Sequence, residues 1–401
     1  MPGDPLLQNG VTAIVVVIVI IKAIITFAVV LVSVLFMVWY ERKVISHMQN
    51  RIGPNRAGPY GLLQSLADGT KLFFKEALLP GKADKRVYRL APFLAVVPAF
   101  LIFSIVPIGG PVTILGHRTT LQLADPPWGI LFMLMLSSIA VYGVMLAGWS
   151  SGSKYPLLGA VRASAQMISY EAALGLSIAT VVVLSGSLHT GAIVAAQHGL
   201  LHFRSYTVPL PRWNLFRSWG VPFVIFMIAI TAEMHRPPFD LVEAEEELAG
   251  GFNTEYSSLS FALFYLAEFM NVVTMSGVAV TLFLGGPDGP RIFGNSVGPF
   301  WFLVKVFCFL FTYVWLRATL PRFRYDQLMD LGWKRLIPAS LGMLLFVAAV
   351  QTDNRVWVIG VICGLLVGGL ALWRALSVGS RTTEIEAAIP RPPSAPAQKG
   401  A

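Results

Sequence analysis

The chain has 401 residues, of which 55% are hydrophobic and only 13% are charged, and its mean hydropathy is +0.68. This composition excludes an ordinary soluble globular protein, whose charged residues make up about a quarter of the sequence. The net charge of +9 is explained by basic cytoplasmic loops and requires no nucleic-acid partner.

About nine apolar runs reach the ~20 residues that a helix needs to cross a hydrocarbon core of ~30 Å. They lie near residues 11–40, 89–108, 127–148, 163–185, 219–236, 256–284, 298–320, 335–351 and 355–374. The first run is too long for the apolar core of a signal peptide, and no small-residue cleavage site follows it. The sequence predicts an all-α integral membrane protein, a polytopic bundle of about nine transmembrane helices.

The basic residues predict the orientation of this bundle. With the N-terminus outside, 22 of the 30 lysines and arginines fall in inner segments and six in outer loops. Short cytoplasmic loops carry the excess of basic residues in membrane proteins. We therefore expect an outer N-terminus, a cytoplasmic C-terminal tail, and a first inner loop that shares the cytoplasmic face with the acidic segment described below.

The first inner loop, of about 48 residues, is longer than a connector requires. Its residues 52–59 read IGPNRAGP, which is typical of a tight turn. Residues 60–79 then favour an amphipathic helix lying in the membrane interface. Leu62, Leu66, Phe73 and Ala77 form its apolar side, and Gln64, Asp68, Lys71 and Lys75 its polar side. Such a helix either tethers the loop or borders a path by which a lipid-soluble ligand enters.

Cysteine and histidine usage indicates no metal or redox centre. Cys308 and Cys363 both lie within predicted spans, so no disulfide framework is expected. His198 and His202 have helical spacing in an outer loop, but no third ligand lies nearby, and we interpret them as loop residues. The predicted spans contain no histidine pair that could ligate haem.

The most informative segment is residues 233–255, which lies between two apolar runs. It holds seven of the 21 carboxylates: Glu233, Asp240, Glu243, Glu245, Glu246, Glu247 and Glu255. Asp240 followed by Glu243 has the spacing of a capping box, so residues 240–249 are predicted to form a short helix that ends at Gly250. Favourable helix-dipole interactions account for the first two carboxylates alone. Crowded carboxylates at a membrane surface are typical of proton or ion handling.

Further charges lie inside the predicted spans. Glu171 and Glu268 fall well within two of them, and Lys22 and Lys305 supply opposite charge at membrane depth. Each could form a structural ion pair in the bundle. Together with the acidic segment, the two carboxylates suggest a chain of protonatable sites leading into the bundle, which is typical of a proton relay.

Four stretches carry a resemblance to a known family. They are WYERKVISHMQNRIGPNRAGPYGLLQSLADGTKLFFKE (39–76), GWSSGSKYPLLGAVRASAQMISYE (148–171), AEMHRPPFDLVEAEEELAGGFNTEY (232–256) and WLRATLPRFRYDQLMDLGWK (315–334). With residues 11–351 around them, they resemble the membrane subunit of respiratory complex I that is called the H subunit in bacteria and ND1 in mitochondria. The resemblance implies one component of a proton-pumping NADH:quinone oxidoreductase of the bacterial plasma membrane, with no redox centre of its own.

The resemblance also implies roles for individual residues. The quinone path, for ubiquinone or menaquinone as substrate, would be bordered by Glu41, Arg42, Arg51, Asp68, Lys71, Arg236 and Arg317. An acidic passage from the quinone chamber toward the antiporter-like subunits would be formed by Glu171, Glu233, Asp240, Glu243, Glu245, Glu247 and Glu268. The expected partners are the quinone-site and iron–sulfur subunits of the peripheral arm, the antiporter-like membrane subunits, and membrane lipid.

The sequence departs from the family pattern in two places, and the second affects the expected domain organisation. Glu246 adds a carboxylate where some relatives have a neutral residue. Residues 1–351 correspond to the family's eight spans, residues 355–374 form an additional ninth, and residues 375–401 have the composition of a disordered cytoplasmic tail. The alternatives are the anchor of a related hydrogenase or formate-hydrogenlyase complex, a stand-alone transporter, and a purely structural anchor. A transporter would be expected to show internal repeats, which the sequence lacks.

Overall fold

The computed structural model describes residue 6, residues 12–114, 116–203, 206–241, 250–289, 297–352 and 357–370, and residue 374. The chain divides into two compact units, Met1–Leu344 and Leu345–Ala401. All of the site described below lies in the first unit.

Helices dominate the described chain. In order they are α1 (Ala13–Met48), α2 (Gln64–Phe74), α3 (Lys85–Phe103), α4 (Gly129–Ser150), α5 (Lys154–Ser185), α6 (Thr190–Ala195), α7 (Asn214–Arg217), α8 (Val221–Glu233), α9 (Ser258–Phe283), α10 (Gly298–Thr319), α11 (Tyr325–Asp330), α12 (Ile337–Gln351) and α13 (Trp357–Leu370). Single 3-10 turns lie at Pro59–Gly61 and Gly251–Asn253, and a π-helical turn at Leu331–Leu336 joins α11 to α12.

Seven helices of the described chain are long and apolar enough to cross a membrane, counting Tyr325–Gln351 as one. The protein is therefore a multi-pass membrane protein, as predicted. The runs predicted at 219–236 and 355–374 form the shorter apolar helices α8 and α13. A 13-residue helix such as α8 is only ~20 Å long, less than the ~30 Å of a hydrocarbon core. The count of nine spans thus stays a prediction.

The limits of α8 follow from its sequence. The helix begins after Gly220, which has a left-handed backbone, and has Pro222 in its first turn. It ends at Glu233, shortly before Pro237 and Pro238, which cannot continue a helix. The irregular segment 234–241 that follows is almost entirely buried. Irregular backbone within a membrane protein is tolerated where protein surrounds it, since its polar groups then find partners.

Two antiparallel hairpins lie in segments predicted as outer loops. One pairs β1 (Gly109–Ile114) with β2 (His117–Leu121), and the other pairs β3 (Leu200–Phe203) with β4 (Tyr206–Pro211). The prediction of an all-helical chain missed both of them. An isolated two-stranded hairpin is marginally stable and depends on the surface beneath it, and strands this short leave little periodicity in the sequence.

The core is built around α5 and α9. In the most apolar window of α9, 83% of the residues are buried, against 17% for α1. α9 is therefore a central helix, and α1 leaves most of its apolar surface exposed on the outside of the bundle. α4 packs extensively against α3 and α5, and α5 against α8. This packing places α4 close to Glu171 of α5 and Glu233 of α8.

The interfacial helix predicted for residues 60–79 is shorter in the structure. α2 covers Gln64–Phe74, because Lys75 is already extended. The turn before it depends on Gly61, whose φ is 76° and where a Cβ would lie 2.4 Å from the Pro54 carbonyl oxygen. The apolar side of α2, including Leu66 and Phe73, is exposed, as a helix in the membrane interface requires. The interfacial position of α2 stays a prediction.

Candidate functional site

A charged cavity of about 370 Å³ lies beside the C-terminal end of α1. Its lining includes Glu41, Arg42, Arg51 and Arg317, four of the seven residues predicted to border the quinone path, together with Tyr265. The volume falls within the range of small-molecule sites, ~300–1,000 Å³. Three guanidinium groups and one carboxylate around an opening suit a polar ring with carbonyl oxygens.

Glu41 joins two arginines at this cavity. Its carboxylate accepts hydrogen bonds from Arg236 at 3.0 and 3.2 Å, and it also pairs with Arg317. Glu41 is only 5% exposed. Because a buried charge is costly unless it is paired and hydrogen-bonded, the two arginines account for an ionised carboxylate at this place.

Arg236 extends from Glu41 to a second carboxylate. Its Nη2 lies 3.1 Å from Oε1 of Glu268 on α9, and its guanidinium lies 4.4 Å from the centre of the Phe269 ring. Arg236 is itself 4% exposed. This buried cation therefore bridges a carboxylate of α1 and a carboxylate of α9, and removing one member of such a buried pair costs about 3–5 kcal/mol.

A second, smaller cavity of about 50 Å³ is lined in part by Glu268, the other carboxylate that Arg236 contacts. Its lining includes Glu233, His235, Glu268, Asn253 and Asn271. A water molecule needs roughly 10–15 Å³ of such volume, so this polar cavity has room for more than one.

Two adjacent serines of α4 hold two of the predicted acidic residues. Ser137 donates to Oε1 of Glu233, and Ser138 donates to Oε1 of Glu171. The second oxygen of Glu233, Oε2, is buried and has no hydrogen-bond partner within the described residues. Glu233 therefore presents an unsatisfied acceptor at the 50 Å³ cavity.

Gln166 of α5 fixes the segment between Glu233 and Asp240. Its Nε2 donates to the carbonyl of Ala232 at 2.8 Å and to that of Phe239 at 3.0 Å. The backbone N–H of Phe323 donates to the Pro238 carbonyl at 3.1 Å. These bonds tie the segment to α5 and to the chain before α11.

Asp240 lies at the other end of the same segment, and Arg322 is 3.3 Å from its Oδ2. The remaining predicted acidic residues, Glu243, Glu245 and Glu247, fall outside the described residues, as do Glu246 and most of the predicted helix 240–249. The structure thus brings together Glu171, Glu233 and Glu268, and places Asp240 beside a separate arginine.

The polar side of α2 meets α1 through an ion pair. Asp68 lies 2.6 Å from Arg42 and accepts a further bond from Gln64 at 3.2 Å. Both members are partly exposed, and exposed pairs contribute only ~0–1 kcal/mol. Lys71 is exposed and is absent from the described lining of the 370 Å³ cavity. Asp68 therefore reaches the cavity indirectly, through Arg42, and Lys71 does not line it.

The two lysines at membrane depth make hydrogen bonds to parts of the chain outside the acidic segment. Lys305 donates to the backbone carbonyls of Leu284, Gly286 and Asp288 and lies 4.7 Å from the Trp213 ring centre. Lys22 donates to Thr119 of β2 at 3.0 Å. Lys305 thus binds the turn after α9, and its predicted structural ion pair within the bundle stays a prediction.

Sequence reasoning missed four polar residues at this site: Ser137, Ser138, Gln166 and Arg322. Gln166 and the serine pair are uncharged residues within apolar runs, and their polarity there was the available signal. Within the described residues, no group of three or more His, Cys, Asp or Glu side chains is placed to bind a metal ion. His198 pairs with Asp288 at 3.0 Å.

Comparison with known proteins shows the family of this chain. The family model described as NADH dehydrogenase matches residues 21–348. A protein of Frankia casuarinae named as the H subunit of NADH-quinone oxidoreductase is 48% identical over 373 residues, covering 90% of this chain and 80% of the relative. A protein of Streptomyces avermitilis with the same name is 50% identical over 345 residues, covering 83% and 73%.

The fold and the site together define a multi-pass membrane protein with a buried network of arginines and carboxylates. The chain belongs to the NADH dehydrogenase family, that of the H and ND1 membrane subunits of complex I. This confirms the predicted resemblance and the prediction of a subunit of an enzyme, NADH-quinone oxidoreductase. The relatives favour that class over a hydrogenase anchor, a stand-alone transporter or a purely structural anchor.

Proposed function

We propose that this chain forms much of the quinone chamber of a proton-translocating NADH-quinone oxidoreductase, together with an acidic passage that couples quinone reduction to proton movement. The observation that carries the proposal is the position of Arg236. It contacts Glu41, which lines the 370 Å³ cavity, and Glu268, which lines the 50 Å³ cavity.

In the proposed reaction, a quinone takes up two electrons from the iron–sulfur subunits and two protons to become a quinol. Negative charge develops on the quinone oxygens before the protons arrive. The arginines at the cavity, Arg42, Arg51 and Arg317, would stabilise that charge. If Arg317 moves toward the quinone, its ion pair with Glu41 weakens. The negative charge of Glu41 is then less compensated, and Glu41 attracts Arg236 more strongly.

The acidic passage would respond to that change. When Arg236 shifts toward Glu41, Glu268 loses part of its compensating charge, and its affinity for a proton rises. Glu233 faces the same small cavity with an unsatisfied oxygen, Oε2. Water in this cavity would connect the two carboxyl groups. Asp240 and the predicted carboxylates at 243, 245 and 247 would continue the passage toward the antiporter-like subunits.

The membership of the complex I family supports further parts of the proposal. We assign the chain to the bacterial plasma membrane, with the N-terminus outside and the tail in the cytoplasm, because 22 of its 30 basic residues then lie inside. Its partners would be the quinone-site and iron–sulfur subunits, the antiporter-like subunits and membrane lipid. The chain would use quinone as substrate and hold no flavin, haem or metal.

A photoreactive quinone tests the chamber. In membranes containing the intact complex, the probe should label the 41–54 segment of this chain, and excess unlabelled quinone should compete. The Arg51→Ala variant should label less, whereas Arg335→Ala, at the far end of the π-helical turn, should label as the wild type does. Labelling confined to other subunits or to other segments of this chain would contradict the proposed chamber.

A further inference from the structure

The serine pair of α4 does more than fill space between helices. Ser137 is 3% exposed, and its hydroxyl contacts Glu233, the last residue of α8. Ser138 is half-buried, and its hydroxyl contacts Glu171 in the middle of α5. Two consecutive residues of one helix therefore reach carboxylates on two different helices.

Ser138 differs from Ser137 because its hydroxyl group has two possible hydrogen-bond partners. Its oxygen lies within hydrogen-bond distance of Glu171 and also 3.1 Å from the Leu134 carbonyl, one turn earlier in α4. A serine hydroxyl has one proton to donate and can accept as well. An ionised carboxylate only accepts, whereas a protonated carboxyl group can donate. Ser138 can therefore satisfy Glu171 in both states without any backbone movement.

We propose that the hydroxyl groups of Ser137 and Ser138 position the carboxyl groups of Glu233 and Glu171 within the acidic passage, and that Ser138 changes its hydrogen-bond partner when Glu171 changes its protonation state. With Glu171 ionised, Ser138 donates to Glu171. With Glu171 protonated, the carboxyl group donates to Ser138, and Ser138 donates to the Leu134 carbonyl. Ser137 has only Glu233 as a described side-chain partner, so its hydroxyl group orients that carboxyl group. The inference rests on the proposed function.

The test uses the intact complex in its native membrane. Ser138→Ala removes the hydroxyl, Ser138→Cys fills the same space with a weak donor, and Ser138→Thr restores a hydroxyl. Ser177→Ala is the matched control, because Ser177 is a buried serine of α5 whose hydroxyl bonds to the Leu174 carbonyl. We expect a roughly tenfold loss of quinone reductase activity and of pumping in Ser138→Ala and Ser138→Cys. Ser138→Thr should recover most of the activity, and Ser177→Ala should match the wild type.

Infrared difference spectroscopy between the oxidised and reduced complex supplies a readout that packing alone does not move. The carbonyl stretch of a protonated carboxyl group that Glu171→Gln removes should shift in Ser138→Ala and return in Ser138→Thr. An unshifted band, or a Ser138→Thr variant as impaired as Ser138→Ala, would overturn the proposal. Wild-type coupling in the serine variants beside impaired Glu171→Gln and Glu233→Gln variants would overturn the serine role alone. Wild-type coupling in both glutamate variants would overturn the proposed passage.

Discussion

Arg236 and Glu41 form an ion pair of 3.0 Å between two almost fully buried side chains, and the same guanidinium lies 3.1 Å from Glu268. A change of charge at either end of this triad is therefore felt at the other, because screening by water is weak at buried groups. The triad connects the larger cavity with the smaller one, and its integrity is the first property to test.

Replacing Arg236 with Gln should destabilise the assembled complex more than replacing Glu41 with Gln. Arg236→Gln removes a buried cation that two buried carboxylates share, although Glu41 keeps Arg317, whereas Glu41→Gln leaves Arg236 paired with Glu268. We expect about 3–5 kcal/mol for the loss of Arg236, measured as the assembled fraction and the thermal midpoint of the complex in detergent extracts.

The partly exposed pair of Arg42 and Asp68 supplies the control, since Asp68→Asn should cost only ~0–1 kcal/mol. Equal losses of stability for Arg236→Gln and Asp68→Asn would show that the buried triad contributes no more to stability than an exposed ion pair.

Glu233→Gln should leave the complex assembled and lower both quinone reductase activity and proton pumping by at least about tenfold, which corresponds to ~1.4 kcal/mol of barrier. Glutamine keeps the shape and can still accept from Ser137, but it cannot take up a proton. Glu243→Gln should behave in the same way. Turnover is measured as NADH oxidation by quinone, and pumping as dye quenching in vesicles.

Asp330→Asn is the matched control, because this exposed carboxylate pairs only with Lys334 among the described contacts. Full turnover and pumping in both glutamine variants would reduce the acidic segment to helix capping.

Arg51→Ala should raise the apparent quinone KM or lower turnover severalfold, since Arg51 lines the 370 Å³ cavity. Lys71→Ala should have the smaller effect, because Lys71 is exposed and does not line that cavity in the described structure. NADH oxidation by an artificial acceptor upstream of quinone should stay at its wild-type rate in both variants. An assembled Arg51→Ala complex that lost both activities would argue against a quinone-specific role.

Deleting residues 375–401 should leave assembly and turnover near their wild-type values when residues 355–374 are kept. The deleted segment is rich in Ala, Pro, Ser and Arg and has no apolar face to bury. Native gel electrophoresis of the complex and the quinone reductase assay measure the outcome. A complex that falls apart after this deletion would show that the tail is a docking element.

Apolar runs predicted the long spans well, because length and hydropathy are properties of the sequence alone. α9 and α10 begin and end within two residues of the predicted limits. α1 and α5 extend beyond theirs, to Met48 and from Lys154, because a helix continues past the apolar run wherever polar residues still find partners. The two hairpins were missed because their stability depends on contacts distant in the sequence.

For the candidate site, the sequence predicted the charged residues but not their pairing. Charged residues such as Glu41, Arg51 and Arg317 were found because charge is rare in an apolar chain, and they do meet at one cavity. The pairing itself, with Arg236 between Glu41 and Glu268, joins residues 195 and 32 positions apart in the sequence, and no local pattern encodes such partners. Ser137 and Ser138 were overlooked because a serine in a span usually bonds to its own helix.

Gln166 limits how a signal can travel between the two ends of the 234–241 segment. Its amide group donates to the carbonyls of Ala232 and Phe239 at 2.8 and 3.0 Å, so one side chain links the residues that directly precede Glu233 and Asp240. Pulling this segment as a lever would break two buried hydrogen bonds, each costing about 1–3 kcal/mol when left unmade. We therefore expect a signal through the proposed passage to travel as a redistribution of charge along a stationary backbone, and not as a movement of this segment.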